Sequence, residues 1–495
     1  MCSWPRPAAA SVNDMLELLD LQHTNWAATY VLVEWMIRLS ALMIIPLRRP
    51  PSAATAWLLL IFFQPLLGLM FYLFVGRPRV SRARQHKIDT LEKALAPNLK
   101  HLQQQQAWHS RTVLPDRLQP VAQLARYWSV FPEFGGNSVQ LLETLPAFRT
   151  QLLQDIDSAQ HSIHLLFYIA ARDTATEQIF AALIKAAQRG IEVRLIVDDF
   201  GSREFMKPLL ALEMHGIRVA QAFPRSKLPH KAARFDLRNH RKLIVIDGVS
   251  GYAGSMNLIR PDNEPHIVYE DIMLRLQGPV VLELQTVFAG DWYIERNVML
   301  TGAQYFPVPV AAGKEVCIGL PSGPEYPDPV QQQLLLSLIH VSINSIRIVT
   351  PYFVPDEPTL IALKTAAQRG VEVELILSER LDHRLVQWAQ ESYYAELLEI
   401  GVIIRRYPTF FLHTKFALFD ESISLIGSAN LDVRSSLINA ELGLLFYAPG
   451  TADMLRQLLE RYRETAITLD IEIWAQQSRM TTLRQNIARL TTPLL

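Results

Sequence analysis

The chain has 495 residues, of which 49% are hydrophobic, and its 48 basic and 48 acidic residues give zero net charge. This length allows two or three domains, and the balanced charge gives no sign of nucleic-acid binding. The two cysteines, Cys2 and Cys317, exclude a disulfide framework and a cysteine-rich zinc site, and they fit a reducing compartment.

Two apolar segments near the N-terminus, at about 26–46 and 56–75, approach the ~20 residues that a helix needs to cross a bilayer. No basic stretch followed by a cleavage site precedes them, so a removable signal peptide is not expected. Glu34 and Arg38 interrupt the first segment, four residues apart on a helix, where they can pair. The alternative for this segment is an amphipathic helix on the membrane surface. We predict a transmembrane hairpin within residues 1–76.

Basic residues follow the second apolar segment, whereas the hairpin loop carries only Arg48 and Arg49. Because the larger basic cluster stays inside, both the N-terminus and the C-terminal part are expected in the cytoplasm. Residues 77–125 are polar and predict a linker or a helical neck. The basic cluster consists of Arg77, Arg79, Arg82, Arg84 and Lys87.

From about residue 126 the chain alternates strand-like and helix-like segments, which is typical of α/β folds. Residues 161–168 and 189–196 resemble residues 344–351 and 369–376, in the same order. The chain therefore holds two copies of one domain. The tail, 451–495, has apolar residues at helical spacing and is expected to pack against the domain; contact with the membrane is an alternative that the sequence does not support. The predicted domains are 126–310 and 311–495.

A second sign of duplication is a motif that occurs twice, H-x-K-x(4)-D, with a Gly-Ser-x-Asn that begins seven residues after the aspartate. Four apolar residues precede each aspartate and predict buried strands over 243–246 and 416–419. Side chains alternate along a strand, which places the histidine and lysine of each copy on one side. The motif residues are His240, Lys242, Asp247, Ser255 and Asn257, then His413, Lys415, Asp420, Ser428 and Asn430.

One histidine per copy suggests a single site between the copies. One histidine attacks as neutral imidazole and forms a covalent intermediate, while the other protonates the leaving group and later deprotonates the incoming nucleophile. The lysines and the serine and asparagine donors suit an anionic phosphate. Each imidazole also needs a carboxylate to fix its tautomer, and spacing alone leaves four candidates open. They are Asp247, Asp420, Asp271 and Glu441.

Other chemistries find weaker support in the sequence. It contains no H-E-x-x-H and no G-x-S-x-G, and the 13 histidines are scattered, so we expect neither a metal nor another cofactor. Asp198 and Asp199 could ligate a cation. A strand-end Asp-Asp is more often a solvated turn or a pair that orients a phosphate site.

The two motifs resemble those of the phospholipase D superfamily, and further segments resemble bacterial cardiolipin synthases. The resemblance implies an α/β fold of two duplicated phospholipase D-like domains packed about a pseudo-twofold axis, preceded by the transmembrane helical hairpin. It also implies a phosphatidyltransferase of the bacterial inner membrane that converts two phosphatidylglycerol molecules into cardiolipin and glycerol. The segments that carry the closer resemblance are 56–59, 321–324, 350–355, 427–435 and 439–441.

The resemblance further implies roles for single residues. His240 would be the nucleophile and His413 the acid and base, with the reverse order open, and Asp271 and Glu441 would orient the histidines. The expected catalytic residues are His240, Lys242, Asp247, His413, Lys415 and Asp420, and the expected phosphate ligands are Ser255, Asn257, Ser428 and Asn430.

Two other functions stay open. The first is a membrane-bound phospholipase D that hydrolyses phospholipids to phosphatidate; a nuclease of this superfamily is disfavoured by the apolar segments and the zero net charge. The second is a membrane scaffold with an inactive site, which is disfavoured because both motifs are complete. The sequence determines neither the donor and acceptor lipids nor the oligomeric state.

Overall fold

A computed structural model describes residues 12–49, 51–74, 76, 84–88, 90, 114–129, 131–224, 236–326 and 328–492. Contacts within the chain divide it into two units, residues 1–79 with 234–236 and the remainder. The helices of the first unit are α1 (Val12–Ile44), α2 (Pro51–Phe63) and α3 (Pro65–Phe74).

Within the described residues, one helical segment, Trp26–Ile44, is long and apolar enough to cross a membrane. It covers most of the first predicted span. Glu34 and Arg38 form the expected pair, with their charged atoms 3.1 Å apart. The pairing lowers the cost of placing both charges in an apolar helix.

The second predicted span is interrupted, because α2 ends at Phe63 and α3 begins at Pro65. Proline lacks the N–H of the helical ladder, and its ring clashes with the preceding turn. Each piece alone is too short for a ~30 Å hydrocarbon layer. Val75 and three residues of the basic cluster (Arg77, Arg79 and Arg82) lie outside the described residues, so the predicted topology stays a prediction.

The second unit contains two halves built from equivalent strands. The strands of the first half are β1 (Phe134–Leu142), β2 (Ser162–Phe167), β3 (Glu192–Asp198), β4 (Arg218–Ala222), β5 (Leu243–Ile246), β6 (Ser250–Gly254), β7 (Tyr269–Glu270) and β8 (Met273–Gln277). The strands of the second half are β9 (Glu315–Ser322), β10 (Ser345–Thr350), β11 (Phe353–Val354), β12 (Glu372–Ser378), β13 (Ile403–Tyr407), β14 (Phe411–Leu412), β15 (Phe416–Phe419), β16 (Ile423–Gly427), β17 (Leu431–Asp432), β18 (Glu441–Phe446) and β19 (Ile467–Thr468).

One fifteen-stranded sheet runs through both halves in the order β19-β13-β12-β10-β15-β16-β18-β9-β1-β8-β6-β5-β2-β3-β4. β9 and β1 pair antiparallel at its centre. Outward from there the two halves have the same order, β1-β8-β6-β5-β2-β3-β4 and β9-β18-β16-β15-β10-β12-β13. This equivalence confirms the predicted duplication about a pseudo-twofold axis. The two predicted motif strands are β5 and β15, and all of their residues are buried.

Helices cover both faces of the sheet. One helix, α4 (Gln119–Trp128), precedes the first half. The helices of the first half are α5 (Leu145–Ser158), α6 (Glu177–Gln188), α7 (Met206–Leu210) and α8 (Val280–Arg296). Those of the second half are α9 (Val330–Val341), α10 (Glu357–Gln368), α11 (Arg384–Glu391), α12 (Tyr394–Leu398), α13 (Val433–Leu437), α14 (Pro449–Thr465), α15 (Ile471–Ala475) and α16 (Arg479–Arg489), and short 3₁₀ turns lie at Asp116–Leu118, Arg203–Phe205 and Ala211–His215. Residues of α8 and α14 share one core with strands of both halves, so the halves are packed together.

Part of the predicted linker is folded onto the second half. Val121, Ala122 and Ala125 of α4 are fully buried in the core of that half. Arg117 donates to the Asp420 carboxylate and, at 3.1 Å, to the carbonyl of Val341. The described end of the segment is therefore helical and packed, whereas residues 91–113 lie outside the described residues, so the linker or helical neck stays a prediction. The domain boundaries at 125/126 and 310/311 remain a proposal.

Candidate active site

Each motif histidine lies in an extended segment that pairs with the opposite half. The backbone N–H of His240 donates, at 2.8 Å, to the carbonyl of the residue before Glu441. The backbone N–H of His413 donates, at 2.9 Å, to the carbonyl of the residue before Asp271. Backbone pairing therefore brings each histidine to a carboxylate of the other half.

The side chains of the two histidines also contact carboxylates of the opposite half. Nδ1 of His240 lies 3.0 Å from both carboxylate oxygens of Glu441. Nδ1 of His413 lies 2.7 Å from Oδ1 of Asp271. Of the four carboxylates that spacing left open, these two reach the imidazoles, and both pairs join different halves. The two halves therefore build one composite site.

Burial keeps the imidazoles neutral. It lowers the pKa of His240 to about 4, although Glu441 acts in the opposite direction, and the nearby Lys242 and Lys415 lower it further. Burial also lowers the pKa of His413. Burial alone would raise the pKa of Glu441, but His240, Lys242 and Ser428 together lower it to about 2. An ionised carboxylate only accepts, so Nδ1 carries the proton and Nε2 keeps its lone pair.

Two buried lysines make the site electropositive. Burial lowers the pKa of Lys242 to about 7 and that of Lys415 to about 8, against the pull of nearby carboxylates. The charge of Lys415 also lowers the pKa of Lys242. The ammonium group of Lys242 donates to the carbonyl of His240 at 2.7 Å, and that of Lys415 donates to the carbonyl of His413. Each ammonium has three donors. Two per lysine remain for an anion, which would raise the pKa of both lysines.

The side-chain hydroxyls of the motif serines are hydrogen-bonded to carboxylate and backbone groups of the protein. Ser428 Oγ donates to Glu441 and accepts from the Leu442 N–H at 3.0 Å. Ser255 Oγ accepts from the Ile272 N–H at 3.0 Å, and both serines are fully buried. Both hydroxyls thus already have protein partners, and the phosphate-binding role of Ser255 and Ser428 stays a prediction. Each serine follows a glycine, Gly254 or Gly427. A Cβ added at either glycine would clash with the backbone of the neighbouring strand.

The motif asparagines are partly exposed and remain phosphate-ligand candidates. Asn257 accepts from the N–H of Ile169 through Oδ1 at 3.2 Å, which leaves its amide donors available. Asn430 donates from Nδ2 to Asp432 at 3.1 Å. An amide that keeps donors in an electropositive pocket suits an oxyanion.

The motif aspartates lie at the far end of their strands. Asp247 accepts from the backbone N–H groups of residues 160–162 at 2.7 to 2.8 Å. Asp420 accepts from those of residues 343–345 at 2.7 to 3.2 Å. Five residues separate Lys242 from Asp247, a span of roughly 16 Å in a strand. These contacts fix the turns at the strand ends, and the catalytic role of Asp247 and Asp420 stays a prediction.

Comparisons with known proteins identify the family to which the chain belongs. Residues 152–292 and 335–463 match the family described as cardiolipin synthase, PLD-like domain, and residues 36–77 match the phospholipase D-nuclease N-terminal family. The chain belongs to the cardiolipin synthase family of the phospholipase D superfamily. It is a membrane-associated phosphatidyltransferase.

Cardiolipin synthases of other bacteria are similar to this chain over almost its whole length. Cardiolipin synthase A of Yersinia pseudotuberculosis serotype O:3 (strain YPIII) is 32% identical over 464 residues, which cover 92% of this chain and 95% of that protein. Cardiolipin synthase A of Yersinia pestis is 32% identical over the same shares. The crystal structure of phosphatidylserine synthase from Haemophilus influenzae Rd KW20 matches with a TM-score of 0.59 and 14% identity, covering 75% of this chain and 99% of that one. At this identity the likeness concerns the fold.

Sequence reasoning missed two aromatic neighbours of the histidine–carboxylate pairs in this cardiolipin synthase family member. The ring of Tyr168 lies 4.9 Å from that of His240, and the ring of Tyr269 lies 5.4 Å from that of His413. Asp198 is buried and accepts from the N–H of Asn239 at 2.8 Å, which fixes the segment before His240. The carboxylate of Asp198, which the sequence offered as a possible cation ligand, therefore accepts hydrogen bonds from backbone N–H groups. Tyr168 ends a repeated segment, and this place at a strand end is the signal that could have found it.

Proposed function

We propose that this phosphatidyltransferase makes cardiolipin from two phosphatidylglycerol molecules through a phosphohistidine intermediate. The observation that carries the proposal is the crossed arrangement of two neutral histidines, each held by a carboxylate of the other half, beside two buried lysines. Phosphatidyl transfer between two alcohols needs a nucleophile and a separate acid and base. A pair of equivalent imidazoles on one anionic centre supplies both.

In the first step Nε2 of His240 attacks the phosphorus of one phosphatidylglycerol. The bond from phosphorus to the headgroup glycerol oxygen breaks, and His413 gives its Nε2 proton to that oxygen. His413 acquires this proton when the anionic phosphodiester enters, because nearby negative charge raises its pKa. Glu441 stabilises the positive charge that develops on His240.

In the second step the headgroup hydroxyl of another phosphatidylglycerol gives its proton to His413 and attacks the phosphorus. The phosphorus–nitrogen bond to His240 breaks, and cardiolipin leaves. One phosphodiester replaces another, so the driving force is small and water must be kept from the intermediate. Lys242, Lys415 and the amide of Asn257 hold the phosphoryl oxygens, with Asn430 as the equivalent ligand of the other half.

We further propose that the segments at about 26–46 and 56–75 cross the bacterial inner membrane as a hairpin and leave the two catalytic domains in the cytoplasm. The apolar composition and the basic residues after the second segment support this topology. The helix break at Pro65 does not oppose it, because membrane helices tolerate proline where neighbouring helices satisfy the backbone.

The test uses the purified chain in mixed micelles with phosphatidylglycerol as the only phospholipid. Lipid products are separated and identified by mass spectrometry, and free glycerol is assayed. Cardiolipin and glycerol in equal amounts, absent with His240→Ala and with His413→Ala, would support the proposal. Phosphatidate without cardiolipin would make the protein a phospholipase D, and no turnover with any phospholipid would leave the inactive scaffold.

A further inference from the structure

The last helix, α16, carries an apolar stripe that is exposed to solvent. Its residues are spaced by three, four and three positions, which is the spacing of one helix face. The exposed fractions of these side chains show that the stripe lies on the protein surface and not in the core. The stripe consists of Met480 (62% exposed), Leu483 (52%) and Ile487 (54%) of the helix and Leu490 (80%) at its C-cap.

The opposite face fixes α16 to the domain. Gln485 and Ala488 are buried, and Gln485 donates to Glu391 of α11 at 3.1 Å. Arg489 pairs with Glu396 of α12 at 2.8 Å. The stripe therefore belongs to a docked helix with a defined orientation.

Charge flanks the stripe on both sides. At ~100° per residue, Arg479 and Arg484 fall on opposite borders of the apolar face. Both are exposed, and α16 contains no acidic residue. A helix with an apolar face and basic borders is typical of one that lies in the interface of a bilayer with anionic headgroups. A second copy docked face to face would instead set arginines against arginines.

The surface beside α16 adjoins the candidate active site. Its partner helix α11 begins two residues after Asp382, which accepts from the Tyr352 hydroxyl at 2.6 Å. The Tyr352 ring lies 5.8 Å from Phe411, whose ring lies 6.0 Å from His413. Asp382 also acts electrostatically on Lys415. The stripe is thus carried by a helix pair that starts next to the His413 side of the site.

We propose that α16 lies in the interfacial layer of an anionic bilayer, with its stripe among the acyl carbons and with Arg479 and Arg484 at the lipid phosphates. The helix holds the His413 side of the site at the lipid surface, where headgroups enter. The contact with the bilayer does not depend on which reaction follows; its effect on turnover rests on the proposed function.

Depth labelling of the full chain in phosphatidylglycerol vesicles tests the contact. Leu483→Cys, in a background with Cys2→Ser, receives an environment-sensitive dye, while Cys317 is fully buried. Thr482→Cys is the matched control, since it is exposed on the same helix about 100° away. We expect blue-shifted emission and quenching by spin-labelled lipids for Leu483→Cys only. Equal, water-like emission at both sites, or a disulfide between two copies through Leu483→Cys, would overturn the proposal.

A second measurement tests the consequence for turnover. The double variant Leu483→Ser/Ile487→Ser removes apolar contact without creating a cavity, because both side chains are exposed. We expect at least about a tenfold loss of turnover on bilayer substrate, since each lost apolar side chain weakens interfacial binding by about that factor. Turnover of a short-chain, water-dispersed phosphatidylglycerol should be unchanged. Equal loss on both substrates would refute the interfacial role, whereas failure of the proposed function would abolish cardiolipin in the parent protein and leave the dye result intact.

Discussion

Replacing Glu441 by glutamine tests the pairing between halves that defines the site. The ionised carboxylate accepts the Nδ1–H of His240 through oxygens 3.0 Å away and so leaves the Nε2 lone pair free. A glutamine amide can turn its NH₂ group towards Nδ1. That contact favours the tautomer with its proton on Nε2, which cannot attack phosphorus.

The size of the effect follows from the electrostatics. The pKa of Glu441 falls from its ordinary 4.5 to about 2, so the surrounding positive groups favour the carboxylate by roughly 3 kcal/mol. Losing that interaction with the developing imidazolium slows the attack by about 10²-fold. The wrong tautomer adds a further loss, and a comparable change in a serine protease costs about 10⁴-fold. We expect Glu441→Gln to lower kcat by between about 10²- and 10⁴-fold.

Cardiolipin formation in phosphatidylglycerol micelles measures this loss, and thermal unfolding checks that the variant is folded. Glu283→Gln is the matched control, because burial raises the pKa of Glu283 and keeps this carboxyl neutral. The control should retain near-normal activity. A folded Glu441→Gln protein within about fivefold of the parent rate would refute the role assigned to Glu441.

Three further changes separate structural from chemical roles. Asp247→Asn should lower the free energy of unfolding by about 2 to 4 kcal/mol, because the carboxylate accepts three backbone N–H groups. It should leave kcat of the folded protein unchanged. A large fall in kcat in a variant that is as stable as the parent would contradict this. kcat/KM should fall as pH rises through about 7 to 8, because Lys242 and Lys415 lose their protons there. Lys242→Arg should remove the inflection at the lower pH, since arginine keeps its charge. An unchanged pH profile in Lys242→Arg would show that another group causes the fall. Ser428→Ala should lower kcat by about tenfold with little change in KM, because the hydroxyl binds Glu441; a rise in KM alone would support the predicted phosphate-binding role instead.

The duplicated fold and both histidines could be predicted from the sequence because a repeated motif reports an equivalent local structure. The strands over 243–246 and 416–419 lie where the apolar runs predicted them. The carboxylate partners could not be chosen from spacing. His240 and Glu441 are 201 residues apart and meet only because the first motif segment pairs with the second half.

The hydrogen-bond partners of the motif serines and aspartates could not be predicted for the same reason. A hydroxyl or carboxylate near a site can bind substrate or backbone, and its local sequence is identical in the two cases. Ser428 reaches Glu441, and Asp247 reaches three backbone donors, through neighbours that are brought close by the sheet. The break at Pro65 was visible in the sequence, but membrane helices tolerate proline, so the second span was predicted as continuous.

Trapping the covalent intermediate tests the central claim most directly. The His413→Ala protein, mixed with a phosphatidylglycerol analogue whose leaving group is a nitrophenol and needs no protonation, is quenched, digested and analysed by mass spectrometry. The account predicts a phosphatidyl adduct on the peptide that contains His240 and none in His240→Ala/His413→Ala. Release of the nitrophenol without any adduct on a histidine, or an adduct at another residue, would contradict it.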